Sequence, residues 1–234
     1  MDIFYSDNIN DNIIELSVSE SRHCMKVMRK KRGDTVIVLD GNGCRYTATI
    51  IEVDKKNILL EIKDIDKIPQ NTMKLHLIIS PTKSHDRIDW LIEKATEIGV
   101  KEISFIKCSR TERKKVNIER IRRISISAIK QSGQFYIPEI NDMSCYNEIV
   151  SNICADQRFI AHLEKEDKKH LVDVYGKSKD CCILIGPEGD FTNDEINFAK
   201  ENNFQSISLG KSTLRTETAG VFAVSLVNIL NESS

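Results

Sequence analysis

The strongest constraint on the fold is an alternation of short apolar runs and helical patterns between residues 75 and 230. Helical periodicity or capping signals occur in the segments 86–98, 117–132, 146–154, 192–201 and 216–230. The apolar runs have the length of buried strands and lie at 75–79, 103–106, 158–161, 181–185 and 207–209. This alternation predicts an α/β domain whose mainly parallel sheet is covered by helices.

The first 70 residues have a different pattern and predict a small β-rich, barrel-like unit. Asp40-Gly41-Asn42-Gly43 is a strong hairpin signal between two β-type runs. A helix capped by Ser19 is expected to place Cys24, Val27 and Met28 on one face. The polar segment 63–72 contains Pro69 and is interpreted as the boundary, which divides the chain into domains 1–70 and 71–234.

Composition narrows the function classes. Lys and Arg number 34 and Asp and Glu 35, for a net charge of −1, so a wholly basic nucleic-acid coat is excluded. The start lacks a secretory pattern, and no run is long and apolar enough to span a membrane. Seven cysteines without a C-x-x-C pair favour a reducing cytoplasm over a disulfide or zinc scaffold. His85, His162 and His170 lack metal-ligand spacing, so no metal is expected.

Two segments near the C-terminus follow predicted strands and open helices. The first is Ile-Gly-Pro-Glu-Gly-Asp at 185–190, and the second is Leu-Gly-Lys-Ser-Thr-Leu-Arg-Thr-Glu-Thr-Ala-Gly at 209–220. Ligands of open α/β sheets bind at such carboxyl ends. By itself, each segment is better explained as an ordinary turn or helix cap. A P-loop is excluded because Gln205 stands where its first glycine is required.

Taken together, the two segments resemble the SPOUT methyltransferases and, more closely, the RsmE family, which methylates N3 of a uridine in 16S ribosomal RNA. The resemblance extends to His23–Asp34, to the segment from Lys83 to Val100, and to Gln131 and Pro138. It implies a PUA-like N-terminal domain, a C-terminal trefoil knot, S-adenosylmethionine as methyl donor and a homodimer with the active site at the subunit interface. The expected partner is 16S ribosomal RNA, within the small subunit.

The resemblance also assigns residues to the cofactor cleft. These are Ile185, Gly186, Glu188, Gly189, Leu209, Gly210, Leu214, Arg215, Thr216, Thr218 and Ala219. Because uridine N3 must lose a proton before it attacks the methyl group, a base and a cation are useful at the site. Arg215 is the candidate cation and Glu217 the candidate base, with Glu188 second. Each carboxylate is also compatible with a purely structural role.

Two basic segments are candidates for RNA contacts. The first supplies Arg22, His23, Lys26, Arg29, Lys30, Lys31 and Arg32, and the second begins at Arg110. A solvated helix face is an equally good interpretation of the first. The chain departs from the family pattern at Asp190, where a second glycine is usual, and at Asp2, Lys130, Gln134, Ser212 and Thr213. Two alternatives stay open: another RNA nucleotide as the target, and an RNA-binding protein with a relic cofactor pocket.

Overall fold

The computed structural model describes residues 2–54, 57–69 and 73–232. The chain forms two compact units. The first comprises residues 1–70 and 126–137, and the second comprises residues 71–125 and 138–234. The sequence analysis placed segment 126–137 in the second domain, whereas its backbone packs with the first unit.

The first unit is built on one sheet in which the hairpins expected from the turn signals are present. Its strands are β1 Ile3–Tyr5, β2 Ile9–Asn10, β3 Ile13–Leu16, β4 Thr35–Leu39, β5 Cys44–Val53 and β6 Ile58–Lys67. They are ordered β1-β4-β5-β6-β3-β2. β1 pairs with β4 in parallel, and the other neighbours are antiparallel. Strand β6 continues through the charged residues that the sequence analysis interpreted as the start of the boundary.

Segment 126–137 is fixed to the first unit by a close approach of backbone to side chain. Gly41 and Gly43 both have positive φ, and a Cβ at these positions would clash with Ile137 and Tyr136 respectively. The Tyr136 hydroxyl donates to the carbonyl of Ile68 at 2.7 Å. The glycines of the predicted hairpin are therefore needed for packing as well as for the turn.

The short helix after β3 differs from the expected one. Helix α1 covers Val18–Arg22, and its N-cap is Ser17 rather than Ser19. A π-helical turn follows at His23–Val27. This wider turn breaks the 3.6-residue period, so Cys24 is buried while Val27 is 63% exposed. The prediction that Cys24, Val27 and Met28 share one face was therefore wrong for Val27.

The second unit contains the parallel sheet that the alternation predicts. Its strands are β7 Leu75–Ile79, β8 Glu102–Lys107, β9 Glu139–Cys145, β10 Gln157–Ala161, β11 Lys169–His170, β12 Cys181–Ile185 and β13 Gln205–Ser208. They are ordered β11-β13-β10-β12-β7-β8-β9, and every neighbouring pair is parallel. Its helices are α2 His85–Ile98, α4 Tyr146–Asn152, α5 Leu171–Val174, α6 Asn193–Glu201 and α7 Thr216–Glu232. Helix α3, Ile118–Ser132, begins in this unit, and its residues from 126 onward belong to the first unit.

Alternate residues of the central strands enter two different cores. Leu77 and Ile183 lie in a core that includes residues of α2 and α7, whereas Ile78 and Leu184 lie in a core that includes residues of α4 and α6. Both faces of the sheet are thus covered, as a parallel sheet requires. Among the helices of the described residues, none has the length and apolar character needed to cross a bilayer.

Candidate active site

A cleft of about 490 Å³ lies at the carboxyl ends of β10, β12 and β13 in the second unit. Its size suits a nucleoside-sized ligand. Nine of the eleven residues predicted for the cofactor line it, and only Gly189 and Thr218 do not. Both C-terminal motifs therefore contribute to one cavity. The nine are Ile185, Gly186, Glu188, Leu209, Gly210, Leu214, Arg215, Thr216 and Ala219.

The loop after β12 is held in place by contacts from several directions. The buried hydroxyl of Thr216 donates to the carbonyl of Gly186 at 3.0 Å, which joins the first motif to the second. A side chain at Gly186 would press against the ring of Phe191. Glu188 is exposed on the cleft wall, and its Oε1 accepts a hydrogen bond from the backbone N–H of Lys83 at 3.0 Å. The backbone of this loop is thus fixed before any ligand binds.

The loop after β13 turns sharply at Gly210, whose φ is 131°. Ser208 stabilises the turn, since its hydroxyl accepts from the N–H of Gly210 at 3.1 Å. Leu209 and Leu214 are half-buried and present apolar surface to the cleft. Backbone groups beside apolar side chains are the combination that holds a purine ring.

The two predicted catalytic residues have different surroundings, although they are only two positions apart. Arg215 is exposed and lines the cleft. Glu217 is buried in the first turn of α7, does not line the cleft, and lies 3.6 Å from Nε of Arg87 on α2. Its Oε2 atom is buried and has no hydrogen-bond partner among the described residues. The catalytic role of each residue stays a prediction.

The cleft also contains a wall that the sequence analysis missed. The loop after β10 contributes His162, Leu163 and Lys168, and the loop after β12 contributes Asp190. Burial lowers the pKa of both His162 and Lys168. Nearby, hydrogen bonds from Lys200 and Ser206 lower the pKa of Glu166 to about 2. The charged sequence of segment 162–168 resembles an ordinary surface loop, and only its position directly after a predicted strand could have indicated a site.

Arg110, predicted as an RNA contact, is bonded within the second unit. Its guanidinium donates to the carbonyl of Gly189 at 2.7 Å and to that of Phe191 at 3.4 Å. These bonds tie the loop after β8 to the loop that carries the first motif. The arginine is exposed nonetheless, so an RNA contact stays a prediction.

The basic segment of the first unit is largely directed to solvent. No ion pair or side-chain hydrogen bond engages the cationic side chains at five of its positions among the described residues: Arg22, Lys26, Arg29, Lys31 and Arg32. Lys30 pairs with Asp2 at 2.8 Å, which lowers the pKa of the carboxyl. His23 is exposed, and its ring forms a T-shaped contact with the ring of Phe4, 6.0 Å between centroids. The segment is thus available to a polyanion.

A separate polar cluster lies near the amino ends of β7 and β8. His76 is buried, and its Nε2 lies 2.7 Å from the hydroxyl of Ser104. Glu102 pairs with Lys74 at 2.6 Å and lies 3.5 Å from Nδ1 of His76. Burial lowers the pKa of His76 to about 4, although the Glu102 carboxylate acts in the opposite direction. Within the described residues, no three His, Cys, Asp or Glu side chains are arranged to hold a metal ion.

Comparison with known proteins decides the family. A family profile described as an RNA methyltransferase domain matches residues 69–228, and one described as an RNA methyltransferase PUA domain matches residues 16–63. The chain is 30% identical over 218 residues to ribosomal RNA small subunit methyltransferase E 2 of Borreliella burgdorferi, covering 90% of this chain and 88% of that protein. It is 30% identical over 232 residues to the Rickettsia conorii methyltransferase E, covering 97% and 95%. The chain belongs to the ribosomal RNA small subunit methyltransferase E family.

Solved structures agree with this assignment. A probable rRNA methyltransferase from Porphyromonas gingivalis superposes with a TM-score of 0.93 at 33% identity, covering 100% of this chain and 99% of that one. The methyltransferase E of Neisseria gonorrhoeae, crystallised with S-adenosylmethionine, gives a TM-score of 0.88 at 28% identity, covering 99% and 98%. The predicted fold class, a PUA-like domain with a SPOUT methyltransferase domain, is confirmed for this member of the methyltransferase E family. The knot stays a prediction.

Proposed function

We propose that this chain transfers a methyl group from S-adenosylmethionine to N3 of a specific uridine in 16S ribosomal RNA. One observation carries the proposal: both family motifs line a single cleft at the carboxyl ends of parallel strands. The curated relatives are named as small-subunit ribosomal RNA methyltransferases, and the Neisseria gonorrhoeae structure contains S-adenosylmethionine.

The cleft fits this donor on its own features. At Gly210 the backbone is left-handed and open space lies beside the Cα atom, so a ligand can approach the main chain. Leu209 and Leu214 supply apolar surface for the adenine. The donor brings a methyl group on a positively charged sulfur, and the chain's own residues must bind it, orient the uridine and manage one proton.

Arg215 is proposed as the cation that stabilises negative charge on the uracil oxygens once N3 has lost its proton. It is exposed on the cleft wall, where an RNA base can reach it. When the N3–methyl bond forms and the methyl–sulfur bond breaks, the electron pair returns to sulfur and the uracil becomes neutral. A cation at this position therefore favours the deprotonated base before transfer.

Glu217 is proposed as the base, with Glu188 as the alternative. Glu217 has a buried carboxylate oxygen without a hydrogen bond among the described residues, whereas Glu188 lies directly on the cleft wall. A Glu217→Gln enzyme that binds the donor normally but transfers methyl groups at least a hundredfold more slowly supports the first assignment. A full rate in that variant contradicts it, and the same measurement on Glu188→Gln then tests the alternative.

The remaining expectations complete the proposal. Domain 1–70, with the exposed cations of the basic segment, is proposed to hold ribosomal RNA, and domain 71–234 to carry the knot and the chemistry. The chain is proposed to act in the cytoplasm, as a homodimer, on the small ribosomal subunit. The match of residues 16–63 to an RNA methyltransferase PUA domain supports the RNA-holding role.

The decisive experiment is methyl transfer from labelled S-adenosylmethionine to small ribosomal subunits that lack the modification. Nucleoside mass spectrometry is expected to show 3-methyluridine. Arg215→Ala should abolish the product, whereas Lys179→Ala, which removes an exposed cation of the second unit outside the cleft and outside both basic segments, should not. A different methylated nucleoside would change the target, and donor binding without any transfer would identify an RNA-binding protein.

A further inference from the structure

The loop after β10 is held in the cleft wall by polar contacts. Lys168 closes the loop on itself, since its ammonium group donates to the carbonyls of His162 at 2.6 Å and Glu164 at 2.7 Å. His162 fixes one end of the loop through a 2.9 Å hydrogen bond to Ser206. From residue 163 to 168 no side chain is buried. With no buried apolar side chain, the position of this loop depends on these hydrogen bonds and on the contacts of Glu166 with Lys200 at 2.5 Å and His162 at 3.1 Å.

Asp190 provides a bond between this loop and the loop after β12. Its Oδ2 atom accepts from the backbone N–H of Leu163 at 2.8 Å. Asp190 has a φ of 62°, a left-handed conformation that non-glycine residues rarely adopt. A glycine at this position would adopt the same conformation without strain but could not form the bond. Two contacts offset this strain: the side-chain bond to Leu163, and the bond that the backbone N–H of Asp190 donates to the carbonyl of Pro187 at 2.9 Å.

Leu163 is the residue whose position this bond controls. Its side chain is 58% exposed and lines the cleft. When a ligand covers an exposed leucine at the edge of a cleft, the burial of its apolar surface makes binding more favourable. The adenosine part of S-adenosylmethionine offers a flat surface of the required kind.

We propose that Asp190 is a positioning residue for the methyl donor: it holds Leu163 in the cleft wall so that the leucine side chain packs on bound S-adenosylmethionine. The inference rests on the proposed function for the identity of the ligand. It adds two residues to the donor site: Leu163, which lies outside both C-terminal motifs, and Asp190, which ends the first motif but was not among the residues predicted for the cofactor.

Calorimetric titration of the full chain with S-adenosylmethionine tests the proposal. Asp190→Gly and Leu163→Ala are each expected to weaken binding about tenfold, the scale of one net hydrogen bond or a few buried methylene groups. The double variant should be no weaker than either single variant, because both changes remove the same contact. Asp190→Asn should bind within twofold of the wild type, since its amide oxygen accepts the same N–H.

A matched control separates the effect of losing the Asp190–Leu163 hydrogen bond from the effect of placing glycine at a left-handed position. Asp11 also has a left-handed φ, 50°, but lies in the first unit, so Asp11→Gly should leave donor affinity unchanged. Glycine relieves the strain at position 190, so Asp190→Gly should remain folded, as a circular dichroism spectrum and melting curve can verify.

The outcomes distinguish this inference from the proposed function. A wild-type chain without affinity for S-adenosylmethionine overturns both. A wild-type chain that binds it while Asp190→Gly binds equally well overturns the inference alone. Losses that add in the double variant show that the two residues act separately. An Asp190→Asn variant as weak as Asp190→Gly would mean that the carboxylate charge acts and not the bond.

Discussion

The basic segment of the first unit and the basic block formed by residues 110–123 are both rich in Lys and Arg, but they differ in how many of these side chains are bonded within the protein. In the segment of the first unit, five cationic side chains face solvent without a protein partner among the described residues. In block 110–123, Arg113 bonds to the carbonyl of Thr82 at 2.8 Å and to that of Lys83, and Arg120 pairs with Asp89. Arg110 holds the carbonyl of Gly189.

The difference shows that two segments of similar charge can differ in how many of their cations are already bonded within the protein. A cation that already donates to carbonyl groups must break those bonds before it can contact a phosphate. A solvated cation only releases counterions when it meets a phosphate. The two segments should therefore respond differently to substitution and to salt.

The largest effect is expected from the basic segment of the first unit. Replacing Arg22, Lys26 and Arg29 together by glutamine should weaken RNA binding about a hundredfold near 0.1 M salt and reduce the slope of log affinity against log salt by about 2. Binding titrations at several salt concentrations measure both values. Donor affinity, measured on the same protein, should stay constant. An unchanged salt slope would remove this segment from the RNA footprint.

The stability of the second unit is expected to depend on pH because of His76. Its pKa is lowered to about 4 in the folded chain, against an ordinary value of about 6.5. Between pH 4 and 6.5 the imidazole of His76 is therefore protonated in the unfolded chain but neutral in the folded chain. Protons thus favour unfolding in this range, so the free energy of unfolding is highest above pH 6.5 and falls as the pH is lowered toward 4. Relative to His76→Gln, the wild type should lose about 2.5 kcal/mol of unfolding free energy between pH 7.5 and 4.5.

Urea unfolding at both pH values measures this difference. The glutamine variant is a suitable reference because it keeps a polar side chain next to Ser104 without titrating. Equal losses in the wild type and in His76→Gln would show that a group other than His76 is responsible for the pH dependence.

A smaller effect is expected from substitution of Arg110, an exposed arginine of block 110–123 that is already bonded within the protein. Arg110→Ala removes the hydrogen bonds to Gly189 and Phe191, and we expect the KM for S-adenosylmethionine to rise about fivefold, within the range for one net hydrogen bond. The salt slope of RNA binding should not change. A slope reduced by about 0.7 with an unaltered KM would instead identify Arg110 as a phosphate contact.

Much of the second unit could be predicted from local patterns. The strand Cys181–Ile185 has the predicted bounds, and the capping box formed by Thr192 and Glu195 is present. These features depend on residues close together in sequence, where apolar runs and capping side chains leave a direct signal. The two motifs of the cleft were found because each follows such a strand.

The features that were missed depend on long-range contacts. Leu163 and Asp190 are joined across 27 positions by a side chain bonded to backbone, and a charged loop gives no periodic signal for such a bond. Tyr136 reaches the carbonyl of Ile68 across 68 positions, so its membership of the first unit could not be inferred from its own segment. The same holds for Arg110, whose partners lie 79 and 81 positions away.

The discontinuous first unit has a consequence for the order in which the chain is built. Residues 1–70 leave the ribosome well before Tyr136 and Ile137, which cover Gly41 and Gly43. Until residue 137 emerges, the hairpin of Asp40 to Gly43 lacks its packing partners. A nascent chain, or a fragment cut at residue 70, therefore exposes the surface that this later segment covers. The first unit is complete only after residues 71–125 of the second unit have been translated.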